Sequence, residues 1–340
     1  MRFAALASLV AAALAPSAYA ATYHLSDNWV GSAFLSAFTH EAIADPTHGR
    51  VNYVDQATAV AKNLTYASGD TLILRADHTT TLSASGAGRN SVRIRSVKTY
   101  DTHVVVWVSF ILTSAVWPVV LTSPPLSASM CATCPKAAVH GPLPGRPTKA
   151  TGPTAAKSTS IEGVNDQSPN AMTLHTGANC AMPASRTMTG TATNNNCDVN
   201  TDGNSGCGVQ APSANSYGPS FNANGGGWYA MERTNSFVKV WFFPRNAGNV
   251  PNDVKAGPAT INTDTWGEPT ALFPNTSCDI GGHFDANNII INLTFCGDWA
   301  GQASIYSSSG CPSTCVDYVN NNPGAFANAY WDIASVRVWQ

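Results

Sequence analysis

Short segments in which apolar and polar residues alternate, each closed off by Gly, Asn or Asp, most narrow what this chain can fold into. Thr71-Leu72-Ile73-Leu74-Arg75 and Asn90-Ser91-Val92-Arg93-Ile94-Arg95-Ser96 show the pattern in the first third, and it returns in Phe237 to Phe243, Ile289 to Leu293 and Val336 to Trp339. A period of two gives a strand one face for a core and one for the other side. No convincing amphipathic helix, helix-strand alternation or internal repeat accompanies these segments. The expectation is an all-β chain, one large antiparallel sandwich curved so that a concave face forms a cleft. With 340 residues, 44% of them hydrophobic, a full core can be buried. Only 11% of residues are charged, so Asn, Ser, Thr and Gly carry the polarity, as suits a secreted, turn-rich β protein.

A formal net charge of -2 offers no grip on a phosphate backbone or an anionic membrane, and neither is expected as a partner. Arg2, the apolar run Phe3 to Ala15, Pro16 and the small-residue site Ala18-Tyr19-Ala20 read as a secretory signal, residues 1–20, cleaved after Ala20. The mature chain then meets an oxidising compartment. Nine Cys should form disulfides there, yet nine is odd, so at least one is unpaired or does not belong. Sequons at Asn63, Asn275 and Asn292 fit secretion and are expected on the surface if glycosylated. Cys131 and Cys134 could form half a zinc site, but no second pair or His tandem follows, so neither metal nor cofactor is expected.

Between Val104 and Ser160 the texture changes. Val104 to Val120 is almost wholly apolar, but it is barely long enough to span a membrane, contains Pro118, and would put the strand-rich halves on opposite sides of a bilayer. The Pro/Ala/Lys-rich stretch from Cys131 to Thr159 has no helix or strand pattern and looks like a linker.

Five segments carry a resemblance: Asp45 to Val54, Gly88 to Ile94, Ile161 to Asn165, Gly225 to Arg233 and Phe295 to Gly301. Together they resemble fungal glycoside hydrolase family 16, the laminarinase-like endo-β-1,3(4)-glucanases, over residues 22–107 and 161–340. The resemblance implies a concanavalin-A-like jelly-roll β-sandwich with a concave substrate cleft, a β-glucan substrate, no cofactor and a monomer. The family's catalytic signature has the form Glu-x-Asp-x-x-Glu on a strand. A retaining glycosidase needs a nucleophilic carboxylate and a general acid/base about 5 to 5.5 Å apart across the scissile bond. On a regular strand only even offsets share a face, so an offset of five requires a bulge. Glu162 matches the second Glu, the acid/base. The positions of the nucleophile and the Asp hold Lys157 and Thr159.

The codons suggest where the nucleophile went. Read one nucleotide earlier, Cys131 to Pro142 admits R-H-M-P-K-G-C-G-T-W-P, and Thr151 to Ser160 admits W-P-N-G-G-E-V-D-I, ahead of Ile161-Glu162-Gly163. The signature then reads E-V-D-I-I-E. Val108-Ser109 can encode an intron donor and Ser129 an acceptor, so a retained intron of a length not divisible by three would produce the shift. Losing Cys131 and Cys134 while gaining the Cys of G-C-G turns nine into eight, which can pair completely. The expected organisation is therefore a signal peptide followed by one domain, 21–340, interrupted at about 108–160, where a core strand should be missing or improvised.

By the same resemblance His175 lies near the catalytic carboxylates, with a structural histidine as the alternative, and Trp299 stacks on a sugar ring, whose C-H-rich face suits an aromatic surface, with a core Trp as the alternative. Arg89 and Asn90 are candidates for hydrogen bonds to sugar hydroxyls, with a solvated turn as the alternative. Trp228 reads as core, and Glu232 and Arg233 as an ion pair or a solvated face. Two rival functions stand beside hydrolysis: a glycan-binding pseudoenzyme, if the chain is made as it stands, and a cell-wall transglycosylase using the same carboxylates.

Overall fold

The apolar run that opens the anomalous region begins as a strand with no exposed face. In His103–Ser109 every residue is buried: Val105 and Trp107 point between two sheets, while Val104, Val106 and Val108 point to a second apolar layer behind. A strand covered on both sides reads as a continuous apolar run. The computed structural model describes residues 22–109, the backbone of Cys134–His140, and residues 156–340. Residues 1–20, read as a leader, lie outside the described residues. Among the described residues no helix is long and apolar enough to cross a membrane.

Two antiparallel sheets form a jelly-roll sandwich. The first, of nine strands, runs in the order Thr260–Asn262, Thr22–Trp29, Tyr330–Trp339, His103–Ser109, Gly227–Arg233, Phe237–Pro244, Ala271–Pro274, with Thr65–Ser68 and Thr71–Arg75 joining beside Tyr330–Trp339. The second, of eight, runs Thr191–Ala192, Cys207–Gln210, Ala171–His175, Lys157–Glu162, Cys134–His140, Asn287–Thr294, Arg93–Tyr100, Phe38–His40. Between the sheets lie Trp107, Tyr229, Met231 and Val240 from the first and Ile94, Met172, Leu174, Ile289 and Ile291 from the second. Strand alternation thus places Thr173, His175, Asn288 and Asn292 on the far face of the second sheet. Trp228, as expected, is core, in the layer behind the first sheet with Trp241, Trp266 and Trp339.

Helices are confined to the connections, and none among the described residues exceeds the seven residues of Cys315–Asn321. Disulfides staple the loops: Cys180–Cys278, Cys197–Cys207 and Cys296–Cys315. Cys311 is also disulfide-bonded, whereas the side chains of Cys131 and Cys134 lie outside the described residues.

Several expectations need correction. A core strand was expected to be missing or improvised near 108–160; it is not missing, since the backbone of Cys134–His140 is paired on one side with Lys157–Glu162 and on the other with Asn287–Thr294. Ladder bonds use backbone groups that every residue but Pro carries, so two open strand edges can recruit a segment with no strand pattern of its own. The rest of the expected interruption, residues 110–133 and 141–155, lies outside the described residues. Asn292 is not a surface sequon: it is 3% exposed in a central strand, and its amide donates to the Tyr53 hydroxyl at 2.9 Å. Asn63 and Asn275 are exposed. Glu232 and Arg233 are not a solvated face and do not pair with each other; each forms an ion pair elsewhere, Glu232 with Lys239 at 3.6 Å and Arg233 with Asp101 at 3.1 Å. Adjacent on one strand, they point to opposite faces: Glu232 accepts from the Tyr23 hydroxyl at 2.8 Å, while Arg233 donates to Asp101 Oδ1 at 3.1 Å and to the Phe284 carbonyl at 2.9 Å.

Candidate active site

Lys157–Glu162 carries the candidate residues, and its register breaks on both sides. Against Ala171–His175 the pairing shifts between Thr159 and Glu162; against Cys134–His140 it shifts between Thr159 and Ile161. This bulge turns an odd offset into a shared face. Glu162 and Thr159 end side by side, with Thr159 Oγ1 donating to Glu162 Oε2 at 3.0 Å. Thr159 Oγ1 also accepts the Thr173 N–H at 3.0 Å. Since Lys157 is two residues from Thr159, positions 157, 159 and 162 all face away from the inter-sheet core.

The opposite face of the strand carries a misfit. Ser158 and Ser160 are each 1% exposed and point at the thioether of Met231, at 3.6 and 3.5 Å from its sulfur. Sulfur is a weak acceptor, so two hydroxyls lie in apolar surroundings where hydrocarbon side chains would fit. The shifted reading frame places Val and Ile at these positions. A cavity of about 70 Å³ lies on this inner side, lined by Ile161, Tyr217, Phe221, Tyr229 and Trp331 among others. Glu162 is not part of its lining.

His175 stands opposite Lys157 in the ladder, on the face that carries Glu162. Its Nδ1 lies 3.0 Å from Asn204 Oδ1, on a turn held by the Cys197–Cys207 disulfide. Gly206, at φ +65°, completes this turn, and a side chain there would meet His175 Nδ1. Trp299 is half-buried and packs with Ala300 and Ile305 against Val164, two residues beyond Glu162. Its loop is tied down at Asp45. Burial pushes the Asp45 carboxyl up, but hydrogen bonds from Thr294, Thr47 and Gly49 outweigh it and hold it below the usual carboxylate range. Asp298 N–H, beside Trp299, donates to the carbonyl of Thr47 at 2.9 Å.

Arg89 is not a sugar ligand. Fully buried, it donates to the carbonyls of Val319 and Asp77 and lies over the Phe326 ring. The strand Arg89–Ser91 pairs in parallel with Val51–Tyr53, and alternation sends Arg89 and Ser91 inward and Asn90 outward. Neither a solvated turn nor a subsite describes Arg89: a lone Arg beside Gly88 gives no local sign that distant carbonyls will collect around it. Asn90 stays accessible and accepts from Asn52 Nδ2 at 2.7 Å, so its described bond does not join it to Glu162.

Three site residues escaped the sequence reading. Asn170 bonds to the backbone on both sides of the bulge; Thr173 supports Thr159; and the Tyr217 ring lies so close to Gly163 that any side chain at 163 would collide with it. The signals were weak, since partners brought together from different elements leave no period in the sequence. Among the described residues one group of possible metal ligands gathers, Cys180, Cys278 and His283, but the two sulfurs are consumed in a disulfide.

A profile of the XgeA-like, catalytic GH16 domain matches residues 38–124 and 152–339. A probable glycosidase of Schizosaccharomyces pombe is 38% identical over 96% of this chain and 71% of its own length. The chain belongs to glycoside hydrolase family 16. A probable endo-1,3(4)-β-glucanase of Aspergillus niger is also 38% identical, over 98% of this chain but only 42% of its own length. Among solved structures, the GH16 laminarinase 16A of Phanerochaete chrysosporium, seen with two β-glucans in its donor and acceptor sites, is 76% identical over 94% of this chain and all of its own, with a TM-score of 0.85. An elongating GH family 16 β-1,3-glucosyltransferase is 36% identical over 94% of this chain, with a TM-score of 0.79. The family 16 match leaves out residues 125–151, within the segment whose reading frame is in question.

Proposed function

We propose that this family 16 domain is a secreted endo-β-glucanase that hydrolyses β-1,3 or mixed β-1,3/1,4 glucans with retention of configuration, and that its nucleophile is a Glu at position 157 lost from the sequence by a retained intron and frame shift. The bulge carries this reading: it sets 157, 159 and 162 on one face, the geometry a Glu-x-Asp-x-x-Glu site needs. Ser158 and Ser160 support it from the opposite face, because the restored E-V-D-I places carboxylates outward and aliphatic side chains inward.

In this reading the carboxylate at 157 attacks the anomeric carbon as the glycosidic C–O bond breaks, and Glu162 gives its proton to the leaving oxygen. Glu162 then takes a proton from water, which attacks the same carbon and frees the 157 carboxylate. Thr159 holds Glu162 in the chain as it stands; an Asp there would orient the nucleophile. Two carboxylates this close also raise the pKa of the acid/base, keeping it protonated for the first step.

Sequencing the transcript across residues 108–160 tests the premise, and Glu162→Gln in the enzyme encoded by that transcript tests the role. Loss of laminarin hydrolysis by orders of magnitude is expected; near-normal turnover of the variant refutes the assignment. Transglycosylation is favoured by one observation, the 36% identity to an elongating glucosyltransferase. Scoring new reducing ends against elongated chains separates the two. If the transcript encodes Lys157-Ser158-Thr159-Ser160, the protein has no attacking group, and glucan affinity without turnover is the expected outcome.

A further inference from the structure

The bulge that aims Glu162 needs something to hold it, because a bulged residue leaves its backbone groups out of the ladder. Asn170 supplies the missing partners. Its side-chain oxygen accepts the Glu162 N–H at 2.9 Å, and its side-chain NH₂ donates to the Ser160 carbonyl at 2.9 Å. One planar amide thus grips the strand on both sides of Ile161. Asn170 is fully buried, and its own N–H donates to Ser216 Oγ at 2.9 Å. Ser216 in turn donates to the Ser213 carbonyl. The clamp is therefore braced from a separate loop.

Resting on the role of Glu162 proposed above, we infer that Asn170 is a positioning residue for catalysis: it fixes the bulge, and through it the distance between the carboxylates at 162 and 157. It touches no substrate. A bulge free to relax would let Glu162 drift from its partner, and a misplacement of about 1 Å can cost on the order of 100-fold in rate. Drift also weakens the like-charge repulsion that keeps the acid/base protonated, so its pKa falls toward the ordinary carboxylate value.

The test uses the enzyme encoded by the sequenced transcript, with Asn170→Ala and Ser216→Ala. The expected result for Asn170→Ala is a kcat on laminarin at least about tenfold lower, KM within about twofold, and an alkaline limb of the kcat-pH profile displaced to lower pH. Ser216→Ala, which only loosens the brace, should move the same quantities less. A fall in melting temperature with kcat and the pH limb unchanged in the folded fraction would reduce Asn170 to a structural role and overturn the inference. Should Asn170→Ala fail to fold, Ser216→Ala decides on the same readouts. If the transcript encodes Glu at position 157 and the enzyme is nonetheless inactive, the proposed function fails but the inference is still read from the carbon-13 NMR titration of the Glu162 carboxyl: its midpoint must fall in Asn170→Ala, and an unmoved midpoint rejects the clamp.

Discussion

The two serines on the inner face of the strand that carries Glu162 allow the frame-shift reading to be tested without any enzymology. Ser158 and Ser160 are each 1% exposed, and the partner described for both hydroxyls is one thioether sulfur. A buried hydroxyl with so weak an acceptor costs about 1 to 3 kcal/mol. Replacing the pair by Val and Ile removes both hydroxyls and adds five carbons, a net gain of three heavy atoms, and the three that add volume are worth about 0.8 kcal/mol each when buried. Crowding takes back about 1 to 3 kcal/mol. In the chain as it stands, Ser158→Val with Ser160→Ile should therefore raise stability by about 2 to 5 kcal/mol. Equilibrium unfolding in urea measures it, as a higher midpoint at unchanged slope. Ser158→Ala with Ser160→Ala, which removes the hydroxyls without adding volume, should give a smaller gain. A lower or unmoved midpoint in both double variants would mean that the inner face of this strand does not call for aliphatic residues, and the E-V-D-I reading would lose its structural support.

Two further outcomes are expected. Burial lowers the pKa of His103 from its ordinary 6.5 to about 4, Arg233 adding to the effect while the bond to the Asp101 carbonyl opposes it. The unfolded chain thus binds the proton more readily, so stability is complete above about pH 6.5 and falls as pH drops toward 4, by up to about 3 kcal/mol; unfolding midpoints across that range should slope in the wild type and flatten in His103→Gln. Arg89→Met leaves the Val319 and Asp77 carbonyls without their donor and should cost about 3 to 5 kcal/mol in denaturation, with KM for laminarin unchanged in the enzyme encoded by the sequenced transcript; a raised KM at intact stability would return Arg89 to the substrate.

What was legible in the sequence is what repeats locally or is carried by a motif. Alternation in Thr71–Arg75 and Phe237–Pro244 announced strands because a side chain's face is set by its own position along the strand. The signature around Glu162 singled out the proposed acid/base and, through Lys157 and Thr159, the positions at which the motif is broken. The need for a bulge followed from arithmetic alone. Tertiary structure decided the rest, because partners far apart in the chain leave no mark on a residue's neighbours. Arg89 looks like any turn-flanking cation until Val319, 230 residues away, accepts its hydrogen bonds. The Asn292 sequon is indistinguishable from an exposed one until Tyr53, 239 residues away, takes up its amide. Asn170 becomes a clamp only because the chain folds back across the bulge it holds. Composition and period fix which face a residue shows; only the assembled sandwich fixes what that face meets.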